Sequence, residues 1–89
     1  MTDIQITLDE RGNRYGTFLD NACVAQDLKQ VLREAYNDDN MTALHKEALE
    51  MICHKMARIV NGDPDYIDSW HDIAGYATLV VQQIKERDQ

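Results

Sequence analysis

A four-residue corner, Asn61-Gly62-Asp63-Pro64, separates two long stretches with helical periodicity. Asn61-Gly62 is typical of a helix end, because glycine adopts the left-handed conformation that often follows a last turn. Asp63-Pro64 is typical of a helix start, with a carboxylate as N-cap and proline in the first turn. The corner therefore predicts two long helices that pack side by side in opposite directions.

Apolar residues recur every three or four positions on both sides of this corner and in an earlier segment. The predicted helices span about 17–36, 42–61 and 64–87. Thr17 and Thr42 supply capping hydroxyls for the first two helices. The apolar seam of the third helix consists of Tyr66, Trp70, Ile73, Ala77, Val80 and Ile84. This heptad-like spacing is typical of helical bundles, so the sequence predicts an all-α fold with Trp70 in the core.

The first sixteen residues have a different pattern. Ile4, Ile6 and Leu8 alternate with polar residues, as in a strand, but no partner strand follows later in the chain. We therefore expect residues 1–16 to form an extended N-terminal arm, or a strand paired with another subunit, and residues 17–89 to form a single helical domain. A domain this small buries little surface, so we expect the three-helix unit to dimerise into a helical bundle.

The chain is acidic, with a formal net charge of −7 and 44% apolar residues. Such a charge argues against direct binding of nucleic acid, whose protein partners present basic surfaces. It fits partners such as a cation, a basic protein surface or a metal-bound nucleotide. No apolar run approaches the roughly 20 residues of a membrane span, and no signal-peptide pattern is present. We expect a cytoplasmic protein without membrane contact.

The two cysteines, Cys23 and Cys53, both fall on apolar helix stripes. No Cys or His spacing typical of a zinc site accompanies them. The sequence therefore predicts two buried free thiols in a reducing compartment.

Acidic residues recur on one face of each of the last two predicted helices. Glu47 and Glu50 are three residues apart, and Asp68 and Asp72 are four apart. Carboxylate oxygens are the ligands that magnesium requires. If these faces converge, the four carboxylates form a candidate magnesium site.

Two basic residues offer a different interpretation of the same region. Lys55 and Arg58 lie on the helix that packs against the aspartate row. They can neutralise the aspartates as ion pairs, which is a structural role, or the acids can simply be solvated. The spacing alone leaves these alternatives and the metal site open.

Two further residues are candidates for ligand binding. Arg14, in Arg14-Tyr15-Gly16, is a candidate for binding phosphate or carboxylate, since arginine binds either with two hydrogen bonds. Tyr76 is a candidate for stacking on a nucleotide base. It follows Gly75, and a glycine inside a helix costs about 1 kcal/mol relative to alanine. We therefore expect a ligand or another backbone to approach Gly75 closely.

Three segments resemble the signature of a small α-helical domain found in bacteriophages and prophages: Arg14–Gly16, Lys55–Ile59 and Asp68–Ala77. The resemblance covers roughly residues 11–82 and implies a phage-encoded protein in a bacterial cytoplasm. More distantly, Glu47 and Glu50 are similar to the first acidic pair of the MazG-like all-α NTP pyrophosphatases. That similarity implies magnesium held by acidic pairs on two helices, and hydrolysis of nucleoside triphosphates to monophosphate and pyrophosphate.

Two functional hypotheses follow. In the first, the protein is a small acidic binding protein that engages a host protein or a nucleotide. In the second, it is a magnesium-dependent nucleotide pyrophosphatase in which Lys55, Arg58 and Arg14 bind phosphate oxygens. A metal site requires acids that converge in a cleft, whereas a binding surface for a basic protein requires acids spread over an outer face.

Overall fold

A computed structural model describes residues 2–89. In these residues the chain forms four helices and no strand. They are α1 (Asp3–Tyr15), α2 (Phe18–Ala35), α3 (Ala43–Asn61) and α4 (Ile67–Arg87). The all-α prediction is confirmed. None of the four helices has both the length and the apolarity that crossing a bilayer requires.

The central helix is α3, which packs against α2 on one side and against α4 on the other. Helix α1 contacts α3 much less extensively. The molecule is accordingly elongated, measuring 52 × 28 × 23 Å. Its radius of gyration is 15.4 Å, whereas a compact domain of this length has a value of about 12 Å. Three helices side by side form one layer, and most of its surface stays open.

Small residues make up most of the buried core. The buried apolar residues are Ala25 on α2 and Cys53, Ala57 and Ile59 on α3. Small side chains let helix backbones approach closely, but each contributes little apolar surface to stability. The core of the single chain is therefore thin.

Two of the predicted helix starts are confirmed by their caps. The Asp20 amide donates to the Thr17 hydroxyl at 3.1 Å, so α2 begins where predicted. At the start of α3, the Thr42 amide donates to Nδ1 of His45 at 3.0 Å. Here His45 takes the role that a glutamate or glutamine plays in a capping box.

The prediction of an extended N-terminal arm is wrong, because Asp3–Tyr15 is helical. Thr2 caps this helix, with its hydroxyl accepting from the Gln5 amide at 3.2 Å. Ile4 and Leu8 are four residues apart, so the alternating pattern also places them on one helix face. The capping threonine followed by glutamine three residues later is the signal that distinguishes the two structures.

The third predicted helix begins three residues later than expected, at Ile67. Asp63 does not cap a helix that starts at Pro64. Its carboxylate instead accepts from the Asp65 amide at 2.9 Å, and its carbonyl accepts from the Tyr66 amide at 3.2 Å. These bonds form a separate turn before the helix.

The prediction of a buried Trp70 is also wrong, since this side chain is 55% exposed. Its indole N–H donates to the Pro64 carbonyl at 2.8 Å, which ties the helix to the preceding turn. Helix α4 buries an adjacent face, which includes Ser69, against α3. The two faces share part of the heptad spacing, so the sequence pattern alone does not identify the buried one.

Only one of the two thiols is buried. Cys53 lies in the core, and Cys23 is exposed. Helix α2 buries Asn21 and Ala25, and Cys23, midway between them in sequence, points to the other side of the helix. The prediction for Cys53 is confirmed, and that for Cys23 is wrong.

Candidate functional site

The end of α1 is joined tightly to the corner that follows α3. The Asp63 amide donates to the Arg14 carbonyl at 2.7 Å. A Cβ on Gly62 would collide with the backbone of Arg14 and Tyr15, and a Cβ on Gly16 would collide with the Asn61 carbonyl. Gly16 also has a φ of 82°, a conformation that glycine adopts at little cost. Both glycines are therefore needed for this backbone crossing.

Cations and aromatic rings alternate next to the crossing. The Arg58 guanidinium lies 4.3 Å from the centroid of the Tyr15 ring, and that of Arg14 lies 5.2 Å from the Tyr66 ring. The two tyrosine rings meet edge to face at 5.7 Å. Cation–π contacts of this kind contribute about 0.5–1 kcal/mol each at exposed sites. These two contacts hold the guanidinium groups of Arg14 and Arg58 in fixed orientations.

A cavity of about 450 Å³ opens where α1, α2 and α3 meet. We call it the junction pocket. Its lining is basic, apolar and polar, with no acidic residue among the described side chains. It consists of Leu8, Arg11, Gly12, Tyr15, Gly16, Thr17, Phe18, Asn21, Ala22, His54 and Arg58.

Three basic side chains line this pocket, and they come from two helices. Arg11 comes from α1, and His54 and Arg58 come from α3, one turn apart. Arg11 has no ion-pair partner within residues 2–89. The first turn of α2 also borders the pocket through Phe18, and a helix N-terminus attracts negative charge. All of these features favour an anion.

A polar bridge supports the floor of the pocket. Asn21 is buried, and its side-chain carbonyl accepts from the Asn61 amide group at 3.1 Å. This bond connects the second turn of α2 to the last turn of α3, next to the corner. It fixes the relative position of the two helices that supply the walls.

Burial lowers the pKa of the His54 imidazole below its ordinary value of 6.5. The neighbouring charges of Arg58, Lys55 and Lys29 lower this pKa further. The ring is therefore neutral at pH 7. A bound anion would counteract the positive charges and favour the protonated imidazolium.

The four residues predicted to bind phosphate or a nucleotide have separate positions. Arg58 lines the junction pocket. Arg14 lies over Tyr66 instead, and Lys55 pairs with Asp72 at 3.0 Å. Tyr76 lines a shallow cavity of about 280 Å³ on α4. Only Arg58 is placed with other groups that favour an anion.

Gly75 does not mark a close approach within the chain. An added Cβ would meet no atom within 4 Å. The expectation that a backbone crowds this position is therefore wrong for residues 2–89. By contrast, an added Cβ on Gly16 or Gly62 would collide with backbone atoms.

The structure does not bring the four predicted magnesium ligands together. Glu50 is engaged by Arg33 at 2.6 Å and by the Tyr36 hydroxyl at 3.3 Å, and the Arg33 hydrogen bond is the largest of the effects that lower the pKa of Glu50. Asp68 accepts from the hydroxyl of Tyr66 at 3.0 Å.

Asp72 pairs with Lys55, as the ion-pair interpretation expected, and Glu47 lies exposed on α3. Within the described chain, no three His, Cys, Asp or Glu side chains lie close enough to hold a metal. The side chains present therefore do not fit a magnesium centre, and the magnesium site stays a prediction.

Sequence reasoning missed most of the junction pocket. No sequence motif marks Arg11, His54 or Asn21 as site residues, and Tyr15 stands in the sequence only as a neighbour of the candidate Arg14. Arg11 lies in the segment with the alternating pattern, which does not indicate its helical position. His54 and Arg58 are four residues apart on one helix, and this spacing was the available signal.

The fold and pocket define a class: a small helical domain with a basic cavity at a helix junction. The chain matches the family of a domain of unknown function, DUF6378, over residues 2–84. It therefore belongs to that family. The match includes α1 in full and ends near the last turn of α4. No curated protein and no solved structure matches the chain.

Proposed function

We propose that this protein binds a small phosphate-bearing ligand, of the nucleotide class, in the junction pocket. The observation that carries the proposal is the charge of the lining. The charged side chains of Arg11 and Arg58 converge with the neutral His54 on one cavity whose lining has no acidic residue among residues 2–89, in a chain whose formal net charge is −7. The positive charge of such a cavity attracts anions, although the acidic surface around it repels them.

The size and apolar lining of the pocket support a ligand larger than phosphate alone. Its volume of about 450 Å³ falls within the range of about 300–1,000 Å³ typical of small-molecule sites. Leu8, Tyr15 and Phe18 supply apolar surface for a base, and Arg11 and Arg58 supply charge for phosphate. Arginine is suited to phosphate because its planar group donates two parallel hydrogen bonds.

Binding without hydrolysis is the function that this geometry favours. Pyrophosphatase chemistry of the MazG-like kind needs carboxylates that converge on metal ions. Here Glu50 and Asp72 are held in ion pairs with Arg33 and Lys55. The pyrophosphatase alternative therefore stays a prediction.

The resemblance to bacteriophage domains implies that this binding takes place in a bacterial cytoplasm. A host protein as partner stays a prediction.

We also propose that the protein acts as a homo-oligomer. A folded monomer of 10.3 kDa exposes about 5,400 Å² by the usual scaling with mass. This chain exposes 6533 Å². Burying the difference against another copy would give it the surface of an ordinary folded domain.

Thermal unfolding of the full chain with added ligands tests the nucleotide proposal. Inorganic phosphate and nucleoside mono-, di- and triphosphates are compared with nucleosides that lack phosphate. Ligands that bind only the folded state must raise the Tm, so we expect a rise with the phosphate compounds alone.

Two variants show whether the rise comes from the junction pocket. Arg11→Gln should reduce it several-fold, because Arg11 lines the pocket. Arg87→Gln should leave it unchanged, because this arginine pairs with Asp88 at the end of α4 and does not line the pocket. Absence of any rise in the wild type, or a full rise in Arg11→Gln, would refute the proposal. A rise with magnesium alone would support the carboxylate site instead.

A further inference from the structure

Helices α2, α3 and α4 form one layer, and its two faces differ. One face carries α1, the junction pocket and the Lys55–Asp72 ion pair. The opposite face is covered by no element of residues 2–89. Helical domains bury their apolar stripes between two packed layers, and the described residues supply only one complete layer.

A regular apolar stripe runs along the uncovered side of α4. Its members follow one another at steps of 3, 4, 3, 4 and 3, the spacing of a heptad seam. They are Ile67, Trp70, Ala74, Ala77, Val81 and Ile84. Ile67 is 72% exposed and Val81 is 49% exposed, so most of this seam is not covered by any element of residues 2–89.

Helix α3 continues the same apolar surface. A cavity of about 330 Å³ between α3 and α4 has Leu49 and Ile52 on one wall and Ala77 on the other. Met56 and Val60 follow Leu49 at seven and eleven residues, so they lie on the same side of α3. Both are exposed. We call the α4 stripe with Leu49, Met56 and Val60 the apolar face.

We propose that the apolar face binds a second copy of this chain, so that α3 and α4 of each subunit form a four-helix bundle. This proposal identifies the interface of the homo-oligomer proposed above, and it rests on that proposal. The order of side-chain sizes along the stripe argues for an identical partner. Large residues stand at both ends, and Ala74 and Ala77 stand in the middle.

A two-fold axis through the middle of the stripe makes it complementary to itself. It places Ile67 opposite Ile84 of the other copy, Trp70 opposite Val81, and the two alanines opposite each other. Large side chains then meet large ones, and the helices can approach most closely at the alanines. Two-fold dimers require this kind of self-complementary patch.

The exposed area agrees with a dimer of this kind. The chain exposes 6533 Å², roughly 1,100 Å² more than the scaling with mass gives. Obligate homodimers bury about 2,000–5,000 Å² in total, or about half of that per subunit. The excess therefore lies at the lower end of what each subunit of a stable dimer buries.

Two matched substitutions on α4 test the apolar face by light scattering after gel filtration. Val81→Glu places a charge in the stripe. Leu79→Glu places the same charge two residues away, on the other side of the helix, where Leu79 is 56% exposed. We expect dimers for the wild type and Leu79→Glu, and a monomer for Val81→Glu. Circular dichroism establishes whether each variant is still helical.

Each other result contradicts a stated part of the proposal. A monomeric wild type at every concentration would overturn both the homo-oligomer and the apolar face. A dimer that persists in Val81→Glu would overturn the apolar face alone. A trimer or a larger assembly would contradict the two-fold arrangement.

A second measurement decides the question if Val81→Glu does not fold. Trp70 is the single tryptophan, and it lies in the stripe. Dilution of the wild type through its dissociation should shift the fluorescence of Trp70 to longer wavelength, because the indole becomes exposed to water. An unchanged spectrum during dissociation would place the interface elsewhere.

Discussion

Single glycines determine where the chain can cross itself, and the four glycines of the sequence do not have equal roles. Gly16 and Gly62 lie at the crossing between α1 and the corner, where any Cβ collides with backbone. Gly75 lies in open space on α4. A backbone collision cannot be relieved by a rotamer change, so the crossing has to open for a larger residue to fit.

Alanine should therefore have opposite effects at two of these positions. Gly62→Ala should destabilise the protein by about 1–3 kcal/mol, as overpacking does. Gly75→Ala should stabilise it by about 0.5–1 kcal/mol, because alanine favours the helix and meets no clash. Urea unfolding of both variants at equal protein concentration measures the two free energies. If Gly75→Ala were destabilising, an additional chain or ligand would have to approach α4 there.

At the scale of elements, α1 differs from the other helices because none of its residues is buried. It is attached mainly through Tyr15, Gly16 and the hydrogen bond from Asp63 to Arg14. A free helix of 13 residues is marginal in water. The beginning of α1 therefore depends on its cap at Thr2 and on local side-chain pairs such as Gln5 with Asp9 at 3.0 Å.

Hydrogen exchange should reveal this difference between helices. Amides in the first half of α1 should exchange at least tenfold faster than those around Cys53 and Ala57 in α3, since fraying ends open at little free-energy cost. The proposed dimer leaves α1 on the opposite face, so it should not remove the difference. Equal protection of α1 and α3 would mean that another chain covers α1.

The helix starts at Thr17 and Thr42 were predictable because their signals are local. The caps at Thr17 and Thr42 depend on residues three positions away, and both predicted starts hold. The face that α4 buries depends on where α3 lies, and two overlapping stripes fit the same spacing. Trp70 was assigned to the wrong stripe for this reason.

The pocket was harder to predict than the helices. It combines Arg11 and Arg58 from segments 47 residues apart, which only the crossing at Gly16 and Gly62 brings together. Periodicity within a helix contains no information about such a crossing.

At the scale of the whole molecule, the two proposed sites lie on opposite faces of the layer formed by α2, α3 and α4. The junction pocket involves Arg11 and Arg58, and the apolar face involves Trp70 and Val81. No residue of one lines the other. Sites that share no partners and lie far apart usually contribute independently to free energy.

Independence predicts a simple result for the combined variants. Arg11→Gln should reduce the rise in Tm with phosphate compounds and leave the dimer intact. Val81→Glu should abolish the dimer and leave that rise unchanged, when Tm values are compared at one protein concentration. The double variant should lose both properties, with effects on the free energy of unfolding that add within about 0.5 kcal/mol. A loss of the phosphate effect in Val81→Glu alone would show instead that dimerisation completes the pocket, and that the two faces of the layer act together.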